Sequence, residues 1–235
     1  TLQASWRGAL DAPTQYQLRG KVRGLAFASP SLADAAGQSA SIGMPALRGA
    51  TLDLDLSQDG GRATLAIDDG ALVLPGIFEE PEVPIDHLDA ELHWQVQSLR
   101  SQGAKSAALA PSIALQARNV RFANADMQGE AQFSWHTLDG EKSAAEARLP
   151  GVLDLTGSLS RANGTRVWRY LPLGIPAETR HYVRDAVRAG QASRVQFRVR
   201  GDLRHIPFSD PRQGDFHITA RVSDVNYAYV PASPA

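Results

Sequence analysis

The acidic and histidine side chains are the first candidates for chemistry in this sequence. Asp53 and Asp55 alternate on a predicted strand, so both carboxylates share one face, as the pair in a glycan-active enzyme could. An exposed strand face with aspartate at alternate positions explains the same spacing without catalysis. His87 and His93 lie six residues apart, which matches no common metal-ligand spacing. We expect no catalytic residues, no metal site and no cofactor.

The composition of the chain excludes several further classes of function. The sequence has no cysteine, which excludes thiol catalysis, thiolate metal sites and disulfides, and it contains no G-x-S-x-G elbow, P-loop or G-x-G-x-x-G fingerprint. Among its 235 residues, 24 basic and 25 acidic side chains give a formal net charge of −1, which argues against a general nucleic-acid binder. No stretch approaches 18 consecutive apolar residues, so no membrane-spanning helix is predicted.

Period-two alternation of apolar and polar residues predicts the elements that carry these side chains. The clearest example runs from Leu88 to Val96, where every second residue is apolar. Turn sequences such as Asp59-Gly60-Gly61 join successive segments, and Gly24 shifts the phase of the alternation, which suggests a β-bulge. We predict a mainly β fold of about ten or eleven strands in a long, meandering antiparallel sheet.

Residues 176–189 form the one segment with clear helical periodicity. Its apolar stripe consists of Tyr182, Val183, Ala186 and Val187. Arg180, Arg184 and Arg188 fall on the opposite face of the predicted helix. We expect these arginines to face solvent or to bind the phosphate of a lipid headgroup in a bidentate manner.

Charge is distributed unevenly around this helix. Residues 161–204 contain ten arginines against three acidic side chains, a local charge of +7, so the remaining residues carry −8. An acidic, proline-broken connection at residues 79–86 belongs to that remainder. The basic segment suits a phosphate headgroup or an acidic neighbour.

The predicted sheet has one apolar face, and that face must be covered by a second sheet, a helix or a ligand. One architecture is a β-sandwich, or a sheet rolled on itself and on the single helix. The other is an incompletely closed, curved sheet whose concave apolar face takes up acyl chains. A single helix can cover only a small part of the apolar face of so many strands, so the open sheet remains an alternative.

Several short motifs stand out along the chain besides the alternating strands. Residues 168–176 contain the Tyr-Leu-Pro triplet at Tyr170, and the helix after them ends in Ala-Gly at Gly190. The downstream motifs are Gly201-Asp202-Leu203, His205-Ile206-Pro207-Phe208 and Gly214-Asp215-Phe216, and the upstream one is Pro75-Gly76-Ile77-Phe78 followed by a strand ending in Trp94. Taken together and in this order, these motifs resemble those of the YhdP family of AsmA-like proteins.

The resemblance implies an AsmA-like, groove-shaped sheet in a non-enzymatic protein of the Gram-negative envelope. Such proteins are anchored in the inner membrane by an N-terminal helix, cross the periplasm and move phospholipid towards the outer membrane, which supports its permeability barrier. We therefore expect residues 1–235 to be an internal section of a larger protein, with possible sub-units at 1–150 and 151–235. The expected partners are phospholipid acyl chains, neighbouring repeats of the same chain and, through regions outside it, both membranes, with no nucleic acid.

On this interpretation apolar strand residues line the lipid groove. The candidates are Leu54, Leu65, Leu92, Trp94, Leu115, Phe133, Leu155 and Phe197. The three helix arginines would contact headgroups or a partner. The alternative is a non-catalytic structural or interaction β module of the envelope, in which the sheet is closed.

Overall fold

Ten antiparallel strands form one sheet in the computed structural model, which describes residues 2–9, 12–27, 45–97, 111–138, 151–208 and 210–230. Each strand pairs with its neighbours in the chain, so the spatial order of the strands is their order in the sequence. The strands are β1 Leu2–Ala9, β2 Ala12–Phe27, β3 Ala46–Ser57, β4 Gly60–Val73, β5 Glu82–Gln97, β6 Ser112–Ala123, β7 Met127–His136, β8 Val152–Asn163, β9 Val187–Asp202 and β10 Gly214–Tyr227. The predicted meander is confirmed.

The sheet is open, because β1 and β10 occupy its two ends instead of pairing with each other. The part of the chain that the structure describes contains no second sheet, so the β-sandwich alternative is wrong. Every strand of this meander returns beside the previous one, and local pairing therefore suffices to build the whole sheet.

A line of irregular backbone positions crosses the strands and bends them. Gly24 in β2 and Gly49 in β3 have φ values of 64° and 73°, and Asp69 in β4, Asn119 in β6 and Arg194 in β9 have φ values of 54°, 52° and 51°. The pairing register shifts around Gly24, as the change of alternation predicted, and also around Asn119. Bulges increase strand bending and twist, which agrees with the curved, groove-like sheet observed here.

The connection between β8 and β9 contains the main helical segment of the described chain. We call residues 164–186 the strap. It consists of a 3₁₀-helix at Gly164–Tyr170, an extended stretch and the helix α1 at Ala177–Ala186. The Asn163 side chain caps the 3₁₀-helix by accepting a hydrogen bond from the Thr165 backbone N–H at 3.1 Å.

The helix is confirmed, but its predicted end at residue 189 is wrong. Helix α1 stops at Ala186, and Val187 already belongs to β9, where it pairs with Tyr227 of β10. The Ala228 backbone N–H also donates to the Ala186 carbonyl at 2.8 Å. Pairing with β10 therefore takes the backbone groups that a longer helix would have used.

Candidate functional site

The pairing register gathers apolar side chains into rows that cross the strands on one face of the sheet. Residues two apart on a strand share a face, and cross-strand partners lie at the same level. The Trp94 row consists of Leu56, Gly61, Trp94, Leu115, Trp135 and Leu153. The Leu92 row consists of Leu54, Ala63, Leu92, Ala117, Phe133 and Leu155.

Two further rows continue the apolar face towards the strap. The Leu65 row consists of Leu52, Leu65, Ala90, Val120, Ala131 and Gly157, with Phe197 opposite Gly157 on β9. The Ile67 row consists of Ala50, Ile67, Leu88, Phe122, Gly129 and Leu159. All eight predicted groove residues thus lie on one face, although contact with lipid stays a prediction.

Two glycines on this face make room for aromatic rings. A Cβ atom at Gly61 would lie 2.7 Å from Cζ2 of Trp94, and a Cβ at Gly157 would collide with the ring of Phe197. Both rings therefore reach over the glycine of a neighbouring strand. This arrangement fills the gap left by each glycine and keeps the apolar surface continuous.

On β3 to β5, burial increases from the Trp94 row to the Ile67 row, whereas on β6 to β8 the members of both rows are half-buried. Ile67 and Ala50 are fully buried, whereas the Leu65 row contains Leu65 at 8% exposure and Ala90 at 7%. The buried members of the Leu92 row are alanines, and the named members of the Trp94 row are all half-buried. On β3 to β5 the apolar face is therefore deepest at the end of the strands nearest the strap.

The opposite face of the sheet is polar and carries the acidic residues considered for catalysis. Asp53 is exposed, and Asp55 pairs with Arg19 at 2.9 Å and with Arg62 at 3.4 Å. The hydrogen bond from Arg19 holds the pKa of the Asp55 carboxyl below its usual value. A general acid of a glycosidase needs a raised pKa, so this environment is the reverse of the one required.

His87 is held between two carboxylates on the polar face. Its Nδ1 lies 2.9 Å from Asp68 on β4, and its Nε2 lies 2.8 Å from Asp89 on the same strand. The hydrogen bonds to Asp68 and then Asp89 raise the pKa of His87 above its usual value. The described residues contain no group of three or more side chains suited to hold a metal ion.

A depression of about 1050 Å³ also opens on the sheet, lined in part by His87, Asp89, Arg121, Glu130 and Gln196. The register places these side chains on the polar face, level with one another on neighbouring strands. None of the eight predicted groove residues lines it. Phe122, Gly129 and Leu159 of the Ile67 row also line it, so the depression borders that row.

The strap is attached to two neighbouring connections by charged hydrogen bonds. Arg169 donates to Asp126, in the β6–β7 turn, and to Glu80, in the β4–β5 connection, each at 2.6 Å. The Tyr170 hydroxyl donates to Asp126 at 2.9 Å, and burial raises the pKa of Tyr170 to about 12. The chain itself, through Asp126 and Glu80, thus supplies the acidic neighbour that the sequence suggested for the basic segment at residues 161–204.

Arg180 is placed differently from the prediction of a solvent-facing or phosphate-facing side chain. It is only 7% exposed, and its guanidinium donates to Glu79 at 3.1 Å and to the carbonyls of Leu173, at 3.3 Å, and Ile175. Glu79 also lies 3.0 Å from Nε2 of His181. Because these partners already occupy Arg180, it fastens the strap to the β4–β5 connection.

Arg184 lies one helical turn after Arg180 on α1, but the surroundings of the two side chains differ, and Arg188 lies outside the helix. Arg184 is exposed, lies 5.9 Å above the ring centroid of Trp168 and pairs with Asp185 at 2.8 Å. Arg188 lies on β9, two residues after the end of α1. The predicted stripe therefore does not extend to Arg188, and a headgroup role for Arg184 or Arg188 stays a prediction.

Sequence reasoning missed the partners that attach the strap, chiefly Asp126, Arg169 and Glu79. The signal was present in the charge distribution, because the acidic connection at residues 79–86 complements the basic segment at 161–204. Only the sheet topology shows that these segments meet, since β4–β5, β6–β7 and β8–β9 all connect at the same end of the strands.

An open, meandering sheet with one continuous apolar face defines a groove-type β protein. The family model described as YhdP protein matches residues 1–235, and the chain belongs to this family. The family comprises AsmA-like proteins of the bacterial envelope and is not a known class of enzyme. Comparison with curated proteins and with solved structures gives no significant match.

Among the residues described by the structure, no helix has the length and apolar character needed to cross a membrane.

Proposed function

We propose that this chain is a section of a periplasmic, inner-membrane-anchored protein that moves phospholipid towards the outer membrane along the apolar face of its sheet. The transport would support the outer-membrane permeability barrier. The observation that carries the proposal is the set of four apolar rows, which continue from β3 to β8 on an open sheet. Membership of an envelope family supports the same role.

The energetics of an apolar groove suit transport. Each methylene of a lipid tail that leaves water for this face gains about 0.8 kcal/mol. Because neighbouring strands present similar aliphatic side chains, a tail gains the same contacts at each position and moves without re-entering water. Transport of this kind needs little discrimination between lipids, so aliphatic side chains suffice.

Photo-crosslinking from neighbouring positions on β7 tests the proposal. Phe133 lies on the apolar face and Ser134 on the polar face, so a photoreactive residue at each position forms a matched pair. Irradiation in cells, followed by mass spectrometry, is expected to give phospholipid adducts from position 133 and none from position 134. Equal lipid labelling at both positions, or none at either, would contradict the proposal.

A structural or interaction module is the second candidate, and the two edge strands favour it. Trp6 on β1 and Phe216 and Ile218 on β10 are each more than half exposed, at sheet edges where the described residues provide no further strand. Exposed apolar edges favour pairing with another strand, and neighbouring repeats of a longer chain would supply it. Protein adducts from a photoreactive residue at Phe216, together with no lipid adducts from Phe133, would favour this candidate.

A further inference from the structure

We infer that the main acyl-chain site of this chain lies on the apolar face of β7 to β10, and that the part of the face around Ile67 is a closed hydrophobic core that lipid does not reach. This division rests on the proposed function, because it assumes that phospholipid occupies the apolar face. It separates residues that contact lipid from residues that stabilise the sheet.

The part of the face on β4 and β5 is already covered by protein. Ile67 is fully buried, and Leu65, Ile85 and Leu88 are between 5% and 9% exposed. In a single layer of strands, a side chain is buried this completely only where its neighbours on the same face close over it. The half-buried side chains that pack against this cluster come from β2 to β6 and are Leu25, Leu47, Leu52, Leu72, Val83, Leu92, Val120 and Phe122.

The apolar rows continue beyond β8 onto the last two strands of the sheet. Val199 of β9 lies opposite both Leu155 and Phe216, which extends the Leu92 row to β10. Ile218 of β10 lies opposite Phe197, which extends the Leu65 row in the same way. We call this region the β7–β10 surface, and it consists of Phe133, Leu155, Phe197, Val199, Phe216 and Ile218.

The β7–β10 surface is open, whereas the same two rows are closed on β4 and β5. Phe216 and Ile218 are each 53% exposed, and the other four members are half-buried. None of the six is among the described side chains that pack against the cluster around Ile67. Val195, at 2% exposure, is the only buried apolar residue described on these four strands. Exposure along the two rows therefore increases from the middle of the sheet towards β10.

The free energy that a lipid tail gains on this face is proportional to the apolar area that it removes from water. Ile67 and its neighbours have almost no such area left, so a tail placed over them gains little unless it first displaces the side chains that cover them. Each member of the β7–β10 surface keeps apolar area in contact with water. The core therefore contributes to the stability of the sheet, and the open surface is where an acyl chain gains binding energy.

The breadth of the β7–β10 surface suits an acyl chain better than an added strand. Three spacings of about 4.8 Å between strands place Phe133 about 14 Å from Phe216. A strand that pairs with the edge of β10 would lie beside Phe216 and would leave Phe133 and Leu155 uncovered. Because the hydrocarbon core of a bilayer is about 30 Å thick, one leaflet contributes about 15 Å, and an acyl chain is long enough to contact the whole surface.

Photo-crosslinking of the unsubstituted chain tests the division. The chain is loaded with phosphatidylcholine that carries a diazirine in the middle of one acyl chain, irradiated, digested and analysed by mass spectrometry. Peptides from residues 127–136, 152–163, 187–202 and 214–227 are expected to carry at least about fivefold more label than peptides from residues 60–73 and 82–90, because only the former keep open apolar area.

The result distinguishes failure of the division from failure of the proposed function. Equal or stronger labelling of residues 60–73 and 82–90 would overturn the division and leave lipid binding on the apolar face intact. Absence of label from every strand of the sheet would overturn the proposed function as well.

Two sets of variants provide a second test with opposite expectations. The double variant Phe216→Ser and Ile218→Ser is expected to lower the amount of bound phosphatidylcholine at least about twofold with little change in the unfolding midpoint, because both side chains are exposed. Ile67→Val removes a buried methyl group and should lower the midpoint while leaving bound lipid unchanged.

The matched control for the β10 variant is His217→Ser with Thr219→Ser, which changes the opposite face of the same strand and should leave bound lipid unchanged. Loss of lipid from Ile67→Val equal to the loss from the β10 variant would overturn the division. Equal loss from the β10 variant and its control would overturn the assignment of the β7–β10 surface.

Discussion

The sheet and the strap are stabilised by different interactions. The apolar face between β3 and β8 depends on the burial of many interchangeable aliphatic side chains, and no single contact defines it. The strap depends on a few particular partners, above all Arg169 with Asp126 and Arg180 with Glu79. A change in the sheet should therefore cost packing energy in proportion to burial, whereas a change in the strap should depend on which partner is left unpaired.

Ile67→Ala should give the largest effect, because Ile67 is fully buried in the Ile67 row. Loss of its side chain removes buried contacts and leaves a cavity, which is expected to lower the free energy of unfolding by about 4 kcal/mol. Ile218→Ala on the exposed face of β10 is the matched control and should cost less than about 1 kcal/mol. Urea denaturation of the two variants measures the difference. Similar losses in the free energy of unfolding would show that the contribution of a sheet residue to stability does not depend on its burial.

Arg180→Met should give the next effect and separates two arginines that share one predicted role. The change leaves the Leu173 and Ile175 carbonyls and Glu79 without a donor and is expected to cost about 3 kcal/mol. Arg184→Met should leave the unfolding midpoint nearly unchanged, because Arg184 is exposed. Thermal unfolding and limited proteolysis of the strap check this, and equal sensitivity of the two variants would contradict the assigned geometry.

Acid should weaken the attachment of the strap through Glu79. Hydrogen bonds from His181 and then Arg180 hold the pKa of Glu79 below its usual value of 4.5. The stabilisation is therefore present above the unfolded pKa and is lost as the pH falls through the lower folded pKa. We expect Glu79→Gln to lose less stability than the wild-type chain between about pH 5 and pH 3, as measured by urea denaturation. If the free energy of unfolding of Glu79→Gln and of the wild-type chain fell equally over this pH range, Glu79 would make no such contribution.

The smallest effect is expected at His87, on the polar face of the sheet. Its pKa is raised above 6.5 by Asp68 and Asp89, so its contribution is complete below pH 6.5 and is lost as the pH rises through the higher folded value. NMR titration of the imidazole should place its pKa above 6.5, and His87→Gln should flatten the decline in stability between about pH 6 and pH 8. His93→Gln, which removes an imidazole from the same face of β5, is the matched control for the substitution itself.

Much of the sheet was predictable from alternation alone. The pattern from Leu88 to Val96 gives the apolar face of β5, and the eight predicted groove residues share that face because each belongs to an equally regular pattern. The phase change at Gly24 correctly indicated a bulge. The division at residues 150 and 151 and the contact of these residues with lipid stay predictions.

The helix and its arginines were predicted less well. Local periodicity supports a helix to residue 189, but pairing with Tyr227, 40 residues later, ends it at Ala186. The same periodicity places Arg180 opposite the apolar stripe, whereas Glu79 and two carbonyls bury it. Local periodicity reveals neither the pairing with Tyr227 nor the ion pair with Glu79, because both partners come from distant segments of the chain.

The sequence by itself determined the mainly β meander, its apolar and polar faces and the family resemblance, because alternation and turns are local properties. Tertiary structure decided that the sheet stays open, that burial on β3 to β5 deepens towards the Ile67 row and that the strap closes on Glu79, Glu80 and Asp126. These features depend on curvature and on contacts between segments far apart in the chain. Local patterning can specify which face of a strand is apolar, but only the assembled sheet specifies how deeply each residue on that face is buried.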